Sequence, residues 1–328
     1  MSERIVRLGI VGTGKISHQL AEAVRLSAGF RLCAVYSRAQ ESGRAFADEW
    51  GIPLAVTDYA RMLRLQELDA VYIASPNALH FEQAMAALGA GKHVLLEKPA
   101  VTTLADGQRL YGEARSRSLV CLEAMRPLHD PMLGLIRRTL PLLGRLRRVD
   151  LEYCQYSSRY DRFLRGETPN AFYPALGNAA CMDIGVYPVA VLVALFGMPR
   201  GISARSLFVR GGFEAAGEVV CEYTEMLASV SYSKISDSVS PSVITGEMGS
   251  LSIDRLPSPA ALTLHPRGAS PVRLDYTPAP NNMVHELRDF HSMICGNPPC
   301  CPFSEYTLRQ LRFLDEVRRQ SGISFSAE

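Results

Sequence analysis

Short apolar runs alternate with segments of helical spacing through the first 122 residues. A strand followed by a helix, repeated several times, is the pattern of a parallel doubly wound α/β sheet. The predicted strands lie at the start of the stretch 7–17, over 31–38, over 69–75, and from His93 onward. The predicted helices include 41–50 and 61–65.

The pattern changes after residue 122. Residues 148–158 and 218–233 alternate between apolar or aromatic and polar side chains, as half-exposed antiparallel strands do. We therefore predict two α/β domains, 1–122 and 123–328. The broad sheet of the second domain could pair with that of another copy, so a homo-oligomer, either a dimer or a tetramer, is expected.

Composition narrows the possible partners. Of the 328 residues, 47% are apolar, and 35 basic residues face 33 acidic ones, so no strong field favours nucleic acid or an anionic membrane. The longest apolar run, 186–197, is shorter than a membrane span and contains Pro188, which predicts a buried helix. The expected partner is a small molecule.

The eight cysteines lack the paired spacing of a metal site, and no signal peptide opens the sequence. Free thiols in a reducing cytoplasm, and no metal, are therefore expected.

The first predicted strand ends in a glycine-rich turn, and a helical segment follows. Gly12 permits a tight turn and Gly14 lets the backbone approach a pyrophosphate, while Ser17 holds a third position that requires a small residue. The predicted dinucleotide-binding turn comprises Gly12, Thr13, Gly14, Lys15 and Ile16. Such turns also occur without nucleotides, so the surrounding strand order matters.

The second predicted strand ends at Ser37 and Arg38, where an enzyme that uses NAD carries an acidic residue for the ribose hydroxyl. A hydroxyl and a guanidinium suit a 2′-phosphate instead. NADP is therefore the predicted cofactor, with NAD possible, and a merely solvated Arg38 is the alternative.

Two more strands end at the edge of the sheet where such folds bind ligands. Ser75, Pro76, Asn77 and His80 follow one of them and are candidate cofactor contacts, although Asn77 could simply cap the next helix.

The other strand, 93–97, ends in Glu97, Lys98 and Pro99. Adjacent side chains on a strand point to opposite faces, so a simple Glu97–Lys98 ion pair is geometrically poor. Both residues are predicted to contact cofactor, and the Lys98 cation could stabilise negative charge that develops on a substrate oxygen.

Asp183 and Tyr187 lie four residues apart in an apolar segment. If this segment is helical, both side chains project from one face. That face could offer a carboxylate and a phenol to one ligand, although a core tyrosine and a capping aspartate are the ordinary alternatives.

The stretch 157–174 is polar and leads into that segment, and long polar loops often shape specificity. Arg159, Tyr160 and Asn170 are candidate substrate contacts, with surface packing as the alternative. Arg126 and His129, at the predicted domain junction, are equally open candidates.

Three stretches resemble the glucose-fructose oxidoreductase, inositol dehydrogenase and MocA family, and the similarity runs through essentially the whole chain. They are GIVGTGKIS, ASPNALHFEQAMAALGAGKHVLLEKP and MDIGVYP. The resemblance implies a Rossmann domain and an α/β domain with a large, mostly antiparallel sheet. It also implies a pyridine-nucleotide oxidoreductase that acts on sugars, cyclitols or related hydroxylated rings.

The resemblance further implies roles for three residues. The lysine that matches Lys98 lies beside the nicotinamide and the reacting oxygen, the aspartate that matches Asp183 binds substrate, and the residue that matches Tyr187 lies near the reacting oxygen. The tyrosine at position 187 makes the sequence similar to the branch of the family that includes dihydrodiol dehydrogenase and xylose dehydrogenase. The family's glycine run is replaced by Gly177, Asn178 and Ala179 in this sequence.

We predict that Tyr187 exchanges the hydroxyl proton, Lys98 polarises the same oxygen, and Asp183 orients the substrate during hydride transfer. Two alternatives are a non-catalytic dinucleotide sensor and a lyase or epimerase that retains NAD. A sensor would not need the three residues together.

Overall fold

A computed structural model describes residues 4–325 and divides the chain into two compact units. The first unit runs up to Met125 and includes Ala279–Thr307, and the second comprises Arg126–Pro278 and Leu308–Glu328. The chain first passes from one unit to the other between Met125 and Arg126, close to the predicted boundary at residue 122. The prediction of one continuous second domain differs from the structure, because residues 279–307 fold with the first unit.

The first unit contains a parallel six-stranded sheet in the order β3-β2-β1-β4-β5-β6. Its elements are β1 (Val6–Val11), α1 (Lys15–Leu26), β2 (Phe30–Tyr36), α2 (Gln40–Trp50), β3 (Ala55–Val56), α3 (Tyr59–Leu63), β4 (Ala70–Ile73), α4 (Asn77–Gly89), β5 (His93–Glu97), α5 (Leu104–Ser116) and β6 (Cys121–Ala124). The strands β4 and β5 are almost wholly buried, as their apolar runs predict. The predicted doubly wound sheet is confirmed, and its order reverses between β1 and β4.

The second unit contains an eight-stranded sheet in the order β14-β13-β12-β11-β7-β10-β9-β8. Its elements are α6 (Arg126–His129), α7 (Pro131–Thr139), β7 (Leu146–Cys154), α8 (Tyr160–Leu164), α9 (Val186–Phe196), β8 (Gly201–Val209), β9 (Phe213–Glu222), β10 (Leu227–Ser233), β11 (Ser242–Gly246), β12 (Gly249–Ile253), β13 (Leu262–Pro266) and β14 (Val272–Arg273). Only the pairing of β10 with β7 is parallel among these described strands, which confirms a mostly antiparallel sheet.

Two helices complete the chain, α10 (Met283–Ile294) and α11 (Phe303–Ser321). The apolar face of α10 packs on the first unit, where Phe290 stacks on Phe30 at 6.3 Å between ring centroids. Asn281, just before α10, donates to the Gln19 carbonyl of α1 at 2.8 Å. These contacts explain why a segment so late in the sequence belongs to the first unit.

The helical segment Pro174–Phe196 spans 23 residues and is long and apolar enough to cross a membrane. The apolar segment is therefore longer than the run 186–197 that was predicted from the sequence. However, 78% of its most apolar window is buried within the chain, as in the core helix of a globular protein. Only this segment passes such a test among the described residues.

No disulfide joins any of the eight cysteines, all of which lie within residues 4–325. In the same range, no three His, Cys, Asp or Glu side chains are grouped in a way that could hold a metal ion.

Candidate functional site

The turn after β1 has the geometry that a bound pyrophosphate requires. Gly12 has a positive φ of 104°, and a Cβ there would lie 2.9 Å from the Ala74 carbonyl oxygen, so only glycine fits against the end of β4. Gly14 is the N-cap of α1, makes no side-chain cap, and has open space where a Cβ would stand. The exposed N-terminus of α1 is therefore accessible to an anionic group.

The residues around this turn are placed as a dinucleotide would need. Ser17 is fully buried against the unit, which fits the small-residue requirement. Thr13 and Ile16 are half-buried and Lys15 is exposed. The uncapped helix end and the open side of Gly14 fit a nicotinamide dinucleotide.

Ser37 and Arg38 directly follow β2, as predicted. Ser37 is buried, and its hydroxyl lies 2.8 Å from that of Ser42, which itself donates to the Ala39 carbonyl. Because the Ser42 hydroxyl has only one proton, the Ser37 hydroxyl is the donor between the two. Arg38 is exposed and presents the guanidinium at the strand end.

The loops after β4 and β5 are joined by His80. Its ring is 1% exposed, and Nε2 and Nδ1 lie 2.9 Å from the carbonyl oxygens of Ser75 and Pro99. Burial lowers the pKa of His80. A neutral imidazole has one N–H, so His80 donates to one of these two carbonyl oxygens. Because both nitrogens face backbone, the structure does not support His80 as a cofactor contact and makes it a bridge between the two loops.

The first of those loops carries the other candidates. Pro76 is the N-cap of α4 and Asn77 is the first residue of that helix. Ser75 donates through its hydroxyl to Gln83 Oε1 at 2.7 Å. Ser75, Pro76 and Asn77 are all half-buried at the carboxyl end of β4.

Glu97 is also corrected by the structure. It is 7% exposed, accepts a 2.6 Å hydrogen bond from the Tyr72 hydroxyl, and accepts another from the Lys98 backbone N–H at 3.2 Å. These partners assign it to the interior rather than to the cofactor. Lys98 is half-buried at the strand end, and the Lys98–Pro99 peptide bond is cis.

Sequence reasoning missed Glu123, which supports the same loop. Glu123 is 3% exposed on β6, accepts from the Ala100 N–H at 2.8 Å through Oε1, and accepts from the Thr307 hydroxyl at 2.7 Å through Oε2. A carboxylate inside an apolar strand was the signal that could have identified it.

In the second unit, Asp183 and Tyr187 lie on a helical segment that is otherwise buried. A π-helical turn, Cys181–Gly185, precedes α9, and from residue 179 to residue 194 only Asp183 and Tyr187 are half-buried while all others are buried. Both side chains are therefore accessible, and their position on one face stays a prediction. Asp183 lies within the helical segment and does not cap it, since Ala180 is the N-cap.

The main partner of Asp183 was missed. Lys234, which follows β10 and is 3% exposed, places Nζ 2.7 Å from Asp183 Oδ2. The ring of Tyr187 packs edge-on against Tyr153 of β7, with 5.7 Å between centroids. A carboxylate and a phenol on one face, backed by a cation and an aromatic ring, can orient a hydroxylated ligand and exchange a proton with it.

Glu214 was also missed and lies beneath the π-helical turn. It is 1% exposed, and Oε2 accepts from the Cys181 N–H at 2.9 Å while the Ser206 hydroxyl donates to Oε1 at 3.2 Å. Burial raises the pKa of Glu214 to about 7. Glu214 thus holds the amino end of the segment that carries Asp183 and Tyr187.

The aromatic side chains of the polar stretch 157–174 pack against one another, and this packing bears on the predicted substrate contacts. Tyr160 stacks on Phe163 and Phe172 at 6.0 and 5.7 Å between centroids, which favours the packing alternative. Arg159 and Asn170 are exposed, and Asn170 accepts from the Asn178 side chain through its carbonyl oxygen at 2.7 Å. Arg159 and Asn170 therefore remain accessible to a ligand.

Arg126 begins α6 and is half-buried, whereas His129, at the end of the same helix, is 4% exposed. Burial makes His129 a poor candidate for ligand contact, and Arg126 stays a prediction.

A parallel sheet in this order, with a glycine turn at its reversal point, defines the class: a dinucleotide-binding Rossmann domain joined to a unit with a large antiparallel sheet. The chain belongs to the GFO/IDH/MocA oxidoreductase family. Residues 6–125 match the family model described as an oxidoreductase family with an NAD-binding Rossmann fold, and residues 142–252 match the GFO/IDH/MocA C-terminal domain.

Two relatives align over 99% of both chains. The uncharacterized oxidoreductase YgjR of Escherichia coli is 38% identical, and the scyllo-inositol 2-dehydrogenase (NADP(+)) IolU of Bacillus subtilis is 35% identical. The crystal structure of KijD10, a 3-ketoreductase from Actinomadura kijaniata, superimposes with a TM-score of 0.87 over 97% of this chain and 98% of that one, at 24% identity. The family and the fold predicted from the sequence are thus confirmed, and the chain is an oxidoreductase.

Proposed function

We propose that this protein is an NADP-dependent dehydrogenase that transfers a hydride between the cofactor and a hydroxyl or carbonyl carbon of a sugar, cyclitol or dihydrodiol-like substrate. The observation that carries the proposal is the accessible pair Asp183 and Tyr187 on an otherwise buried helical segment. Because burial of a polar group is costly, these two polar groups stay where a ligand can reach them.

The substrate class follows from the chemistry of that face. An ionised Asp183, paired with Lys234, accepts hydrogen bonds and so selects substrates that present hydroxyl donors. The relative IolU is named for a reaction on scyllo-inositol, a ring that bears only hydroxyl groups. A polyhydroxylated ring or chain is therefore the proposed substrate.

The residues divide the work of the reaction. Tyr187 exchanges the proton of the reacting hydroxyl, Lys98 stabilises the negative charge on that oxygen, and Asp183 holds a second hydroxyl. The cofactor, when bound, supplies the hydride acceptor or donor.

NADP is the proposed cofactor because no acidic side chain stands in the two positions that follow β2. The exposed Arg38 can pair with a 2′-phosphate, and Ser37 lies beside it. The name of IolU, which specifies NADP(+), agrees with this assignment.

The test is a substrate screen that follows NADPH absorbance. The protein is offered NADP+ with scyllo-inositol, other cyclitols, aldoses and a trans-dihydrodiol, and NADPH with dicarbonyls. Turnover of a polyol class supports the proposal. Cofactor binding without turnover of any compound would favour a dinucleotide sensor, and a cofactor that stays bound through purification would favour a lyase or epimerase.

The state of assembly and the compartment are also proposals. The sheet of the second unit exposes Val220 and Leu227, 49% and 57% accessible, which supports pairing with another copy. Light scattering at working concentration should give a dimer or tetramer mass, and a monomer mass would exclude stable pairing. We propose a cytoplasmic location, in line with the absence of disulfides within residues 4–325.

A further inference from the structure

Lys234 is a charged side chain in the interior of the second unit. It follows β10, is 3% exposed, and its backbone N–H donates to the Ala215 carbonyl of β9 at 2.8 Å. Its own carbonyl accepts from the Ser157 N–H at 2.9 Å, where the polar stretch 157–174 begins. The backbone of Lys234 therefore already joins the sheet to that stretch.

The ammonium group makes a second connection. Nζ lies 2.7 Å from Asp183 Oδ2 and donates to the Ala171 carbonyl oxygen at 2.8 Å. It also lies over the rings of Phe172 and Phe213, at 4.9 and 5.3 Å from their centroids. An ammonium removed from water is stable only where charge, acceptors and aromatic faces replace the lost solvent, and all three are present here.

These contacts link three parts of the second unit at one atom. Asp183 belongs to the helical segment, Ala171 to the end of the stretch 157–174, and Phe213 to β9. Because one buried ammonium contacts both groups, the carboxylate of Asp183 and the backbone of Ala171 are held near each other. The Asp183 side chain stays 35% exposed, so the fixed carboxylate still reaches a ligand.

We propose that Lys234 is a positioning residue for substrate binding, which orients the Asp183 carboxylate and locks the stretch 157–174 against it. The substrate role of Asp183 rests on the proposed function, whereas the locking of the stretch does not. A lysine with a purely structural role would affect stability but would not change substrate binding through Asp183.

The first experiment needs no substrate. Trypsin cleavage after the exposed residues Arg159, Arg162 and Arg165 reports opening of the stretch. At a temperature well below both unfolding midpoints, Lys234→Met should speed cleavage at these sites by about tenfold or more, because local opening loses its anchor at Ala171. Lys92→Met, which removes a half-buried lysine that donates to the Leu65 and Leu68 carbonyl oxygens in the first unit, is the matched control and should change the rate by less than about threefold.

The second experiment is a double-mutant cycle with scyllo-inositol and NADP+ as probes. Lys234→Met should raise the KM for scyllo-inositol by about tenfold in the unsubstituted protein and by less than about twofold in the Asp183→Asn background, since it acts through Asp183. The dissociation constant of NADPH should not change. Lys234→Gln, which can donate but carries no charge, serves if the methionine variant does not fold, and should raise KM in the same direction.

The outcomes distinguish failure of the proposed role of Lys234 from failure of the proposed function of Asp183. Equal effects of Lys234→Met in both backgrounds, or unchanged cleavage within 157–174, would overturn the role of Lys234. An Asp183→Asn variant with unchanged kinetics would instead contradict the proposed function of Asp183. If scyllo-inositol is not turned over by the unsubstituted protein, that substrate fails and the cleavage rates alone decide whether Lys234 locks the stretch.

Discussion

In the first unit, the candidate cofactor-binding residues follow the ends of strands, whereas in the second unit Asp183 and Tyr187 lie on a helical segment supported by distant side chains. The turn at Gly12 is fixed by the approach of the β4 backbone, with its N–H donating to the Tyr36 carbonyl at 2.9 Å. Asp183, by contrast, is fixed by Lys234, which lies about fifty residues further along the chain.

This difference separates two ways of building a site. Backbone geometry at strand ends follows from local sequence, because glycines and strand order determine it. A side chain held by buried charges depends on the tertiary fold and on the cost of desolvating those charges. The second region should therefore respond more strongly to single charge-removing substitutions than the first.

Tyr187→Phe should have the largest effect. Without the phenolic proton, turnover of the best substrate should fall by about 10²–10⁴-fold, the usual contribution of a proton-transfer group, while NADPH affinity stays nearly constant. Initial rates and a fluorescence titration of NADPH check both parts.

The matched control is Tyr223→Phe, since the Tyr223 hydroxyl donates to the Gly197 carbonyl at 2.9 Å, just beyond the other end of α9. Turnover in this control should stay within about threefold of the unsubstituted protein. Unchanged turnover in Tyr187→Phe would remove Tyr187 from the mechanism.

Glu214→Gln should alter how stability depends on pH. The folded-state pKa of Glu214 is raised by burial to about 7 from an ordinary 4.5, so between these values the folded state holds a proton that the unfolded state has lost. The free energy of unfolding therefore falls as pH rises from about 4.5 to 7, by at most about 3 kcal/mol for this group. Urea unfolding across this range should show a flatter dependence in the variant.

Glu218→Gln, on the same strand, provides the comparison, because Glu218 is exposed and only accepts from the Ser231 hydroxyl. Its pH dependence should follow that of the unsubstituted protein. If Glu214→Gln also follows it, the carboxyl group of Glu214 is not protonated preferentially in the folded state.

His80→Phe tests the bridge in the first unit. A neutral His80 has one N–H, so the variant removes one hydrogen bond and leaves a buried carbonyl oxygen of Ser75 or Pro99 without its donor. The free energy of unfolding should drop by about 2 kcal/mol. His265→Phe removes a contact with the Ser252 hydroxyl at a half-buried position and should cost less than about 1 kcal/mol. Equal losses in the two variants would mean that His80 makes no special contribution to the loops.

Arg38→Asp should have the smallest energetic effect. An anion in place of an exposed cation at the proposed 2′-phosphate position should raise the NADPH dissociation constant by about tenfold and leave or improve NADH binding. The control, Arg44→Ala, changes an exposed arginine on α2 and should leave both constants unaltered. If the unsubstituted protein binds NADH as tightly as NADPH, the cofactor assignment is wrong.

The fold was largely predictable because its first half consists of short buried strands and amphipathic helices, and Gly12 and Gly14 lie where that strand order requires them. The segment 279–307 was not, since its place in the first unit depends on tertiary contacts such as Phe30 with Phe290. The amino-acid composition did not indicate that residues 279–307 fold with the first unit.

In the site, Lys98, Asp183 and Tyr187 could be named from sequence, but their supports could not all be found. Ala228, Val230 and Tyr232 of β10 point inward at every second position, and Lys234 is the next residue in that series. This alternation could have predicted that the Lys234 side chain is buried. Glu214 gave none, because its inward orientation follows a β-bulge in the pairing of β8 with β9.

The central claim is hydride transfer that depends on Lys98, and the most direct measurement is the rate of scyllo-inositol oxidation by NADP+ in the unsubstituted protein and in Lys98→Ala. We predict turnover in the former and a loss of about 10²-fold or more in the variant, with the NADPH dissociation constant changed by less than about threefold. Equal turnover in the two proteins would contradict the account.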